Sequence, residues 1–358
     1  MSTPRRRWWL ALLLVPTLLG SAACGDDGDS SNDSASGGND QAADLPTLRL
    51  GYFPNLTHAP ALVGVEEGIF GDALDGTAKL ETSTFNAGPE AVEALFAEAL
   101  DASFVGPNPA INAYAQSDGA AIRIISGSTS GGAYLVVRDG IDRPEDLAGT
   151  TVASPQLGNT QDVALRSWLK DQGYETDEAG GGDVSIQPQA NGDALAAFVA
   201  GDIDGAWVPE PWATRMQQEG DGHVLVDEAT LWPEGRYVTT HLIVRTEFLE
   251  ENPDVVKALL AGTVDAIDES NANPDGAKEA ANTQLEELTD APLDQAVLDA
   301  AWENLTFTAD PIASSLEKGA EDAEAVGLLD PVDLDGIYDL GPLNEVLQER
   351  GQSAVADL

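Results

Sequence analysis

The stretch Asp204-Gly205-Ala206-Trp207-Val208 repeats the pattern of Asp101-Ala102-Ser103-Phe104-Val105, 103 positions upstream. Around it the same offset aligns eight identities between residues 57–105 and 160–208 without a gap. They are Thr57/Thr160, Ala61/Ala164, Leu62/Leu165, Ala87/Ala190, Ala91/Ala194, Ala97/Ala200, Asp101/Asp204 and Val105/Val208. Alanine-rich helices align easily by chance, so the shared order of elements weighs more than the identities. Each copy reads as strand, capped helix, strand, Ala-rich helix, and then Asp-x-x-aromatic-Val.

The pattern of the first copy predicts strands over 48–53, 80–84, 102–105 and 122–126. Helices are expected over 58–67, with Thr57 as N-cap and Pro60 in the first turn, and from Gly88-Pro89 through residue 100. Asn108-Pro109 opens another. Strands alternating with helices in this way imply an α/β fold with mostly parallel, doubly wound sheets. Two such copies imply two lobes. Ala133-Tyr134-Leu135-Val136-Val137-Arg138 and Thr240-His241-Leu242-Ile243-Val244-Arg245 share an apolar run ending in Arg, and are expected to be hinge strands joining the lobes. Two crossings make the first lobe discontinuous, 47–138 with 245–358, around a second lobe of 139–244. Amphipathic helices over 253–267 and 285–305, punctuated by Asn252-Pro253 and Pro274-Asp275, are expected to pack on the first lobe.

The only cysteine, Cys24, follows a basic start (Arg5, Arg6, Arg7), an apolar run over 8–19 and the small residues Gly20-Ser21-Ala22-Ala23. Residues 1–23 thus read as a secretory signal, too short to span a bilayer as a stable helix. Cys24 is placed like the lipidated first residue of a bacterial lipoprotein, although Ser21 stands where that motif usually has an aliphatic residue. The alternative is a chance cysteine in a signal cleaved elsewhere. Arg6-Arg7-Trp8-Trp9-Leu10 loosely resembles a twin-arginine signal. Residues 24–46 are mostly Gly, Asp, Ser, Asn and Ala, a composition expected to form a flexible, solvated leash. The expected location is therefore the outer face of the cell membrane, with the lipid as the only membrane contact.

Charge excludes several function classes. The chain carries 62 acidic and 17 basic residues, net −45. Such a surface repels nucleic acid and anionic lipid. The acids are spread along the sequence, as on a surface adapted to high salt. Neither an Asp-x-Asp-x-Asp-Gly loop nor a His cluster is present, so no metal site and no cofactor are expected.

In open α/β sheets ligands bind outside the carboxyl ends of the strands. The loops there hold Asn55, Thr57, His58, Asn86, Asn108, Ser126, Thr129 and Ser130 in the first copy. Gln156, Gly158, Asn159, Thr160, Glu210 and Trp212 follow in the second, and Thr240 and His241 at the hinge. These sixteen are the candidate ligand contacts. Apart from Glu210, these loops supply neutral donors and helix starts, a composition suited to a small anion rather than to nucleophilic catalysis. Singly, each is an ordinary turn or cap residue. Their recurrence at corresponding points of two copies is what favours binding.

The arrangement resembles the solute-binding receptors of ABC importers for nitrate, sulfonates and taurine, with the related pyrimidine-precursor branch. Four motifs carry the likeness: Gly51-Tyr52-Phe53-Pro54-Asn55-Leu56-Thr57-His58-Ala59-Pro60, Gly106-Pro107-Asn108-Pro109-Ala110, Ser154-Pro155-Gln156-Leu157-Gly158-Asn159-Thr160, and Asp204-Gly205-Ala206-Trp207-Val208-Pro209-Glu210-Pro211-Trp212. The resemblance implies a type II periplasmic-binding-protein fold, closing like a clamshell on a small organic oxyanion or zwitterion and delivering it to permease subunits, as a monomer and without enzymatic activity. Glu210 lies where relatives place an acid. It would hold a ligand ammonium, or pair with Arg215 or Arg236. An enzyme or a sensor on the same scaffold is the alternative.

Overall fold

Most central strands are buried along nearly their whole length, as in sheets covered on both faces. The computed structural model describes residues 45–358. The expected signal, Cys24 and most of the leash lie outside the described residues. The strands are β1 (Thr47–Tyr52), β2 (Lys79–Thr84), β3 (Ala102–Val105), β4 (Ile122–Gly131), β5 (Ala133–Val137), β6 (Thr151–Ser154), β7 (Ser185–Pro188), β8 (Gly205–Pro209), β9 (His223–Asp227), β10 (Val238–Arg245) and β11 (Leu305–Phe307). The helices are α1 (Ala59–Glu66), α2 (Ile69–Ala73), α3 (Gly88–Phe96), α4 (Pro107–Gln116), α5 (Thr160–Asp171), α6 (Asn191–Ala200), α7 (Trp212–Glu219), α8 (Thr246–Glu251), α9 (Pro253–Ala272), α10 (Pro274–Thr289), α11 (Gln295–Trp302), α12 (Ala313–Ala325) and α13 (Gly341–Glu349).

The first sheet runs β11-β4-β10-β3-β1-β2 and the second β7-β6-β8-β5-β9. With the edge strand β11 set aside, the two orders coincide. In each, a parallel trio (β2-β1-β3 or β7-β6-β8) is followed by one antiparallel strand (β10 or β5) and a last parallel strand (β4 or β9). Strands β1, β2 and β3 map onto β6, β7 and β8 near the 103-residue offset. The repeat read in the sequence is therefore a repeat of topology.

The segments expected as hinges are interior strands. β5 lies between β8 and β9, and β10 between β3 and β4. Each is the first strand after the chain changes sheets. The first change occurs at Gly131 and Gly132, whose φ angles of +83° and +75° suit glycine. The second runs through two 3₁₀ turns, Glu228–Leu231 and Pro233–Gly235.

The repeated aspartate explains the repeated motif. The backbone N–H of Arg49 at the start of β1 donates to Asp101 Oδ2 at 2.9 Å, and Thr151 N–H at the start of β6 donates to Asp204 Oδ2 at 2.8 Å. The arginines ending the two antiparallel strands complete each pair: Arg245 lies 3.8 Å from Asp101, and Arg138 3.6 Å from Asp204. Each aspartate thus ties a parallel strand to the incoming antiparallel one at the base of its sheet.

Burial differs between the halves. One large core joins the first sheet to the C-terminal helices through residues such as Leu48, Leu50, Leu62, Val256, Leu260, Leu285 and Leu343. The second sheet has a smaller cluster on each face, because successive strand residues point to opposite sides. Leu135, Val137 and Trp207 pack on one face, and Val136, Ala206 and Val208 on the other.

Local expectations shift at two places. Thr57 is not a cap: a 3₁₀ turn, Leu56–His58, precedes α1, and His58 takes the cap position without a side-chain bond. The expected helix over 285–305 is broken. Asp290 adopts φ +59° after α10, and Pro292 prevents continuation, so α11 and β11 form separately.

Asp101 is fully buried, whereas the Asp204 side chain is 38% exposed. Replacing Asp101 by Ala strands the Arg49 N–H and removes two charge-assisted bonds from the Arg49 guanidinium. We expect Asp101→Ala to cost roughly 2–3 kcal/mol and Asp204→Ala about 1 kcal/mol in urea unfolding. Equal losses would contradict this account.

Candidate functional site

The carboxyl ends of β1, β3, β6 and β8 meet around a small cavity of ≈ 20 Å³, about the room of one water-sized sphere. Its walls are Phe53, Asn55, Thr57, His58, Asn86 and Gly106 from the first sheet's side, with Thr239 at the start of β10. Pro155, Asn159, Thr160, Gln161, Asn191 and Pro209 come from the second. The offset reappears here: Thr57 with Thr160, His58 with Gln161, and Gly106 with Pro209 all line the cavity. The two copies therefore face each other across it.

No lining residue is Asp, Glu, Lys or Arg. The polarity comes from side-chain donors and helix starts. Thr160 opens α5 and Asn191 opens α6, and the Asn159 side chain caps α5 by accepting from Gln161 N–H at 3.1 Å. The positive ends of these helix dipoles favour an anion. Three buried lining atoms have no hydrogen-bond partner: His58 Nδ1, Thr160 Oγ1 and Asn191 Oδ1. Burial pushes the His58 imidazole down to about 3, so the ring is neutral. It packs on Phe53 with centroids 4.4 Å apart.

The two sides are drawn together. Trp212 Nε1 donates to Asn55 Oδ1 at 2.7 Å, and Asn304 Nδ2 donates to Glu210 Oε1 at 2.7 Å. Gly106 approaches so closely that a Cβ there would lie 2.4 Å from Thr160 Oγ1. These contacts describe a closed cleft.

Of the sixteen candidates, the structure brings Asn55, Thr57, His58, Asn86, Asn159 and Thr160 to the cavity wall. The others lie elsewhere. Asn108 donates to Gly319 O and so fixes α12 on α4. Ser126 bonds Gly127 O, and Thr129 and Ser130 are buried in β4. Gly158 N–H donates to Asp162 Oδ2, shaping the loop before α5, and Gln156 Oε1 is buried without a partner. The Thr240 hydroxyl donates to Thr57 O at 2.8 Å and so positions a wall residue without touching the cavity. His241 does not reach it either. Its Nε2 lies 3.0 Å from Pro311 O, inside the first sheet.

Glu210 neither lines the cavity nor pairs with an arginine. Its carboxylate accepts from Thr214 N–H and Oγ1 at the start of α7, and from Asn304. Arg215 pairs with Glu219, and Arg236 with Asp310. Burial raises the Glu210 carboxyl above the usual range, which its three donors partly offset.

The wall residues outside the sixteen are Phe53, Gly106, Pro155, Gln161, Asn191, Pro209 and Thr239. The repeat offset carries a signal for some of them: Gln161 follows from His58, and Pro209 from Gly106.

Two parallel-trio sheets of one order, with a cleft at their carboxyl ends, define a type II periplasmic-binding-protein fold. The chain belongs to the NMT1-like family, whose model matches residues 41–285. It is 31% identical over 216 residues to the taurine-binding periplasmic protein of Escherichia coli (strain K12), covering 60% of this chain and 64% of that one. It is 29% identical over 222 residues to a putative aliphatic sulfonates-binding protein of Bacillus subtilis (strain 168), covering 60% and 63%. The chain thus spans less than two thirds of either relative's length. In structure it resembles the alkanesulfonate-binding protein SsuA of Xanthomonas axonopodis pv. citri (TM-score 0.69, 18% identity, 84% of this chain and 100% of that one). It also resembles the nitrate-binding protein NrtA of Synechocystis PCC 6803 (TM-score 0.69, 17% identity, 86% and 89%).

His58 and His241 predict a pH dependence. Burial holds both rings below their ordinary value, His58 to about 3 and His241 to about 4. Between those values and about 6.5 the unfolded chain binds more protons, so stability falls on acidification. Glu228 acts oppositely, because burial pushes its carboxyl to about 7. Its contribution is present below the ordinary carboxylate range and is lost as pH rises through 7. From pH 6.5 to 5, His58→Gln and His241→Gln should each remove roughly 2 kcal/mol of acid destabilisation, while Glu228→Gln should deepen it. Thermal unfolding across that range measures all three slopes.

Proposed function

We propose that this chain is an exported solute-binding protein of an ABC importer, holding a small organic oxyanion between two lobes and delivering it to a permease. The observation that carries the reading is the neutral cavity at the strand ends, with unpartnered His58 Nδ1, Thr160 Oγ1 and Asn191 Oδ1 beside two helix starts. An oxyanion needs directed donors and no counter-acid: the Thr160 hydroxyl, the Nδ1–H tautomer of His58 and the two helix starts supply donors, whereas Asn191 Oδ1 accepts and suits a hydroxyl or ammonium on the ligand. The taurine- and sulfonate-binding names of the relatives support a sulfonate, with a zwitterion such as taurine next.

We read the two lobes as 47–131 with 238–358 and 133–227, following sheet membership. The protein would act as a monomer, bind without chemical turnover, and be held at the outer membrane face by a lipid on Cys24. Mass spectrometry of the mature N-terminus tests the anchor.

Binding is tested by thermal shift with methanesulfonate, taurine, nitrate and pyrimidine precursors. A ligand at a hundredfold excess over Kd should add about 2.7 kcal/mol of stability. Thr160→Val, which removes one directed donor, should weaken that ligand about tenfold. If no small anion or zwitterion stabilises the protein, or if one is turned over, the reading fails.

The net charge of −45 opposes anion capture. The Debye length falls to about 3 Å at 1 M salt, so distant carboxylates then cease to act on the cleft. Anion association measured by stopped flow should accelerate with salt. A rate that falls with salt would contradict this view.

A further inference from the structure

The two chain crossings between the sheets are tied to each other. Tyr237, near the end of the second crossing, is buried, and its hydroxyl accepts from Ala133 N–H at 3.2 Å, just past Gly131 and Gly132 in the first. Trp232 stacks on the Tyr237 ring with centroids 5.4 Å apart. Helix α12, from the first half, covers this junction. Lys318 Nζ lies 5.2 Å from the centre of the Trp232 ring, and Ser315 Oγ accepts from Val238 N–H at 3.2 Å.

Glu228 opens the second crossing and is sealed inside the junction, 1% exposed. Its Oε2 accepts from Trp207 Nε1 on β8 at 2.7 Å, while Oε1 is buried without a hydrogen-bond partner. The groups around it supply no ion pair. Lys318 on α12 is bound to Asp322 at 2.5 Å. Asp227, ending β9, accepts from Ala229 N–H. Tyr134 on β5 lies opposite Asp227, and burial holds the Tyr134 and Tyr237 phenols protonated. A carboxylate in such a place is costly as an anion. Burial accordingly raises the Glu228 carboxyl to about 7; the indoles of Trp207 and Trp232 and the Lys318 ammonium oppose the rise, and Asp322 adds to it.

We propose that Glu228 is a proton-binding site at the crossing, which takes up a proton from water as α12 closes over it and returns it as the halves open. The proton is then a ligand of the closed form, and pH sets the balance between closed and open.

The sign follows from the two environments. In the open form water reaches the carboxyl, which ionises in its ordinary range. Closing therefore takes up a proton at any pH between that range and about 7, and is disfavoured as pH rises through that window. Below about 6.5 His58 acts in the opposite sense, because burial favours its neutral ring. Glu210, whose N–H donates to Gly132 O at the first crossing, is a second buried carboxyl with a raised value. A window of pH 6.5–8 avoids the histidine, and a Glu228 variant separates the two acids.

The test reads closure directly and needs no solute. Ala200 and Ala291 are exposed on opposite walls of an open groove of ≈ 830 Å³ between α6–α7 and the stretch 285–297. Spin labels on Ala200→Cys and Ala291→Cys, in the full chain with its one native thiol removed by Cys24→Ser, report the separation of the halves by double electron–electron resonance. From pH 6.5 to 8 the ratio of short to long distances should fall about threefold. In Glu228→Gln, which stays neutral and still accepts from Trp207, the ratio should hold constant. A constant ratio in the labelled parent, or the same fall in Glu228→Gln, overturns the proposal. Failure of every solute to bind would overturn the receptor reading and leave this one standing.

Discussion

The tie between Asp101 and Asp204 and the strands around them is the constraint on which the rest depends. Each carboxylate takes a backbone N–H at the start of a central parallel strand, and each faces the arginine that ends the antiparallel strand arriving from the other half. A parallel strand has no tight turn to set its register. An aspartate at its base supplies that register locally. Once β1 and β6 are fixed from below, their carboxyl ends must meet above, and the cavity forms where the two ends face one another. The two ties differ in strength because their surroundings differ. Asp101 is sealed under the large first core, while Asp204 sits at the edge of a smaller one.

The same pair explains what could be read in the sequence. The spacing of Asp101 and Asp204, and the Arg endings at 138 and 245, were visible as patterns before any partner was known. They specify each other physically, so both survive in the chain. The sequence could not show which sheet the Arg-ending strands join. An apolar run followed by Arg describes a hinge and an interior strand equally well, since both are buried. The break at Asp290 was hidden for a related reason. Helical periodicity resumes after Pro292 in a new helix, so the apolar pattern continues across a chain that does not.

The site was legible to the extent that it follows the repeat. Six wall residues came from asking which polar side chains sit at strand ends, and Gln161 and Pro209 follow from the offset. The candidates that fell away are also polar residues at strand ends or in sheets. His241 and Asn108 are consumed by long-range bonds to backbone carbonyls at Pro311 and Gly319, and no local pattern encodes such partners, while Ser126 bonds the carbonyl of its neighbour Gly127 within β4. Glu210 shows the limit most clearly. Its role as acceptor for Asn304, 94 positions away, depends on closure of the cleft.

Beside the cavity that closure is built from uncharged donors, and at its edge Lys170 Nζ donates to Ala325 O. Trp212 meets Asn55, and Asn304 meets Glu210, whose charged form burial already disfavours. An ion pair at either point would have to shed its hydration at each closing, at a cost of several kcal/mol per ion. In a chain with 62 acids, a charged closing face would also meet like charge. Neutral hydrogen bonds avoid both costs, and they respond little to salt. The acidic surface and the neutral cleft are thus compatible parts of one design: the first governs how the protein meets its solvent, and the second how the two halves meet each other.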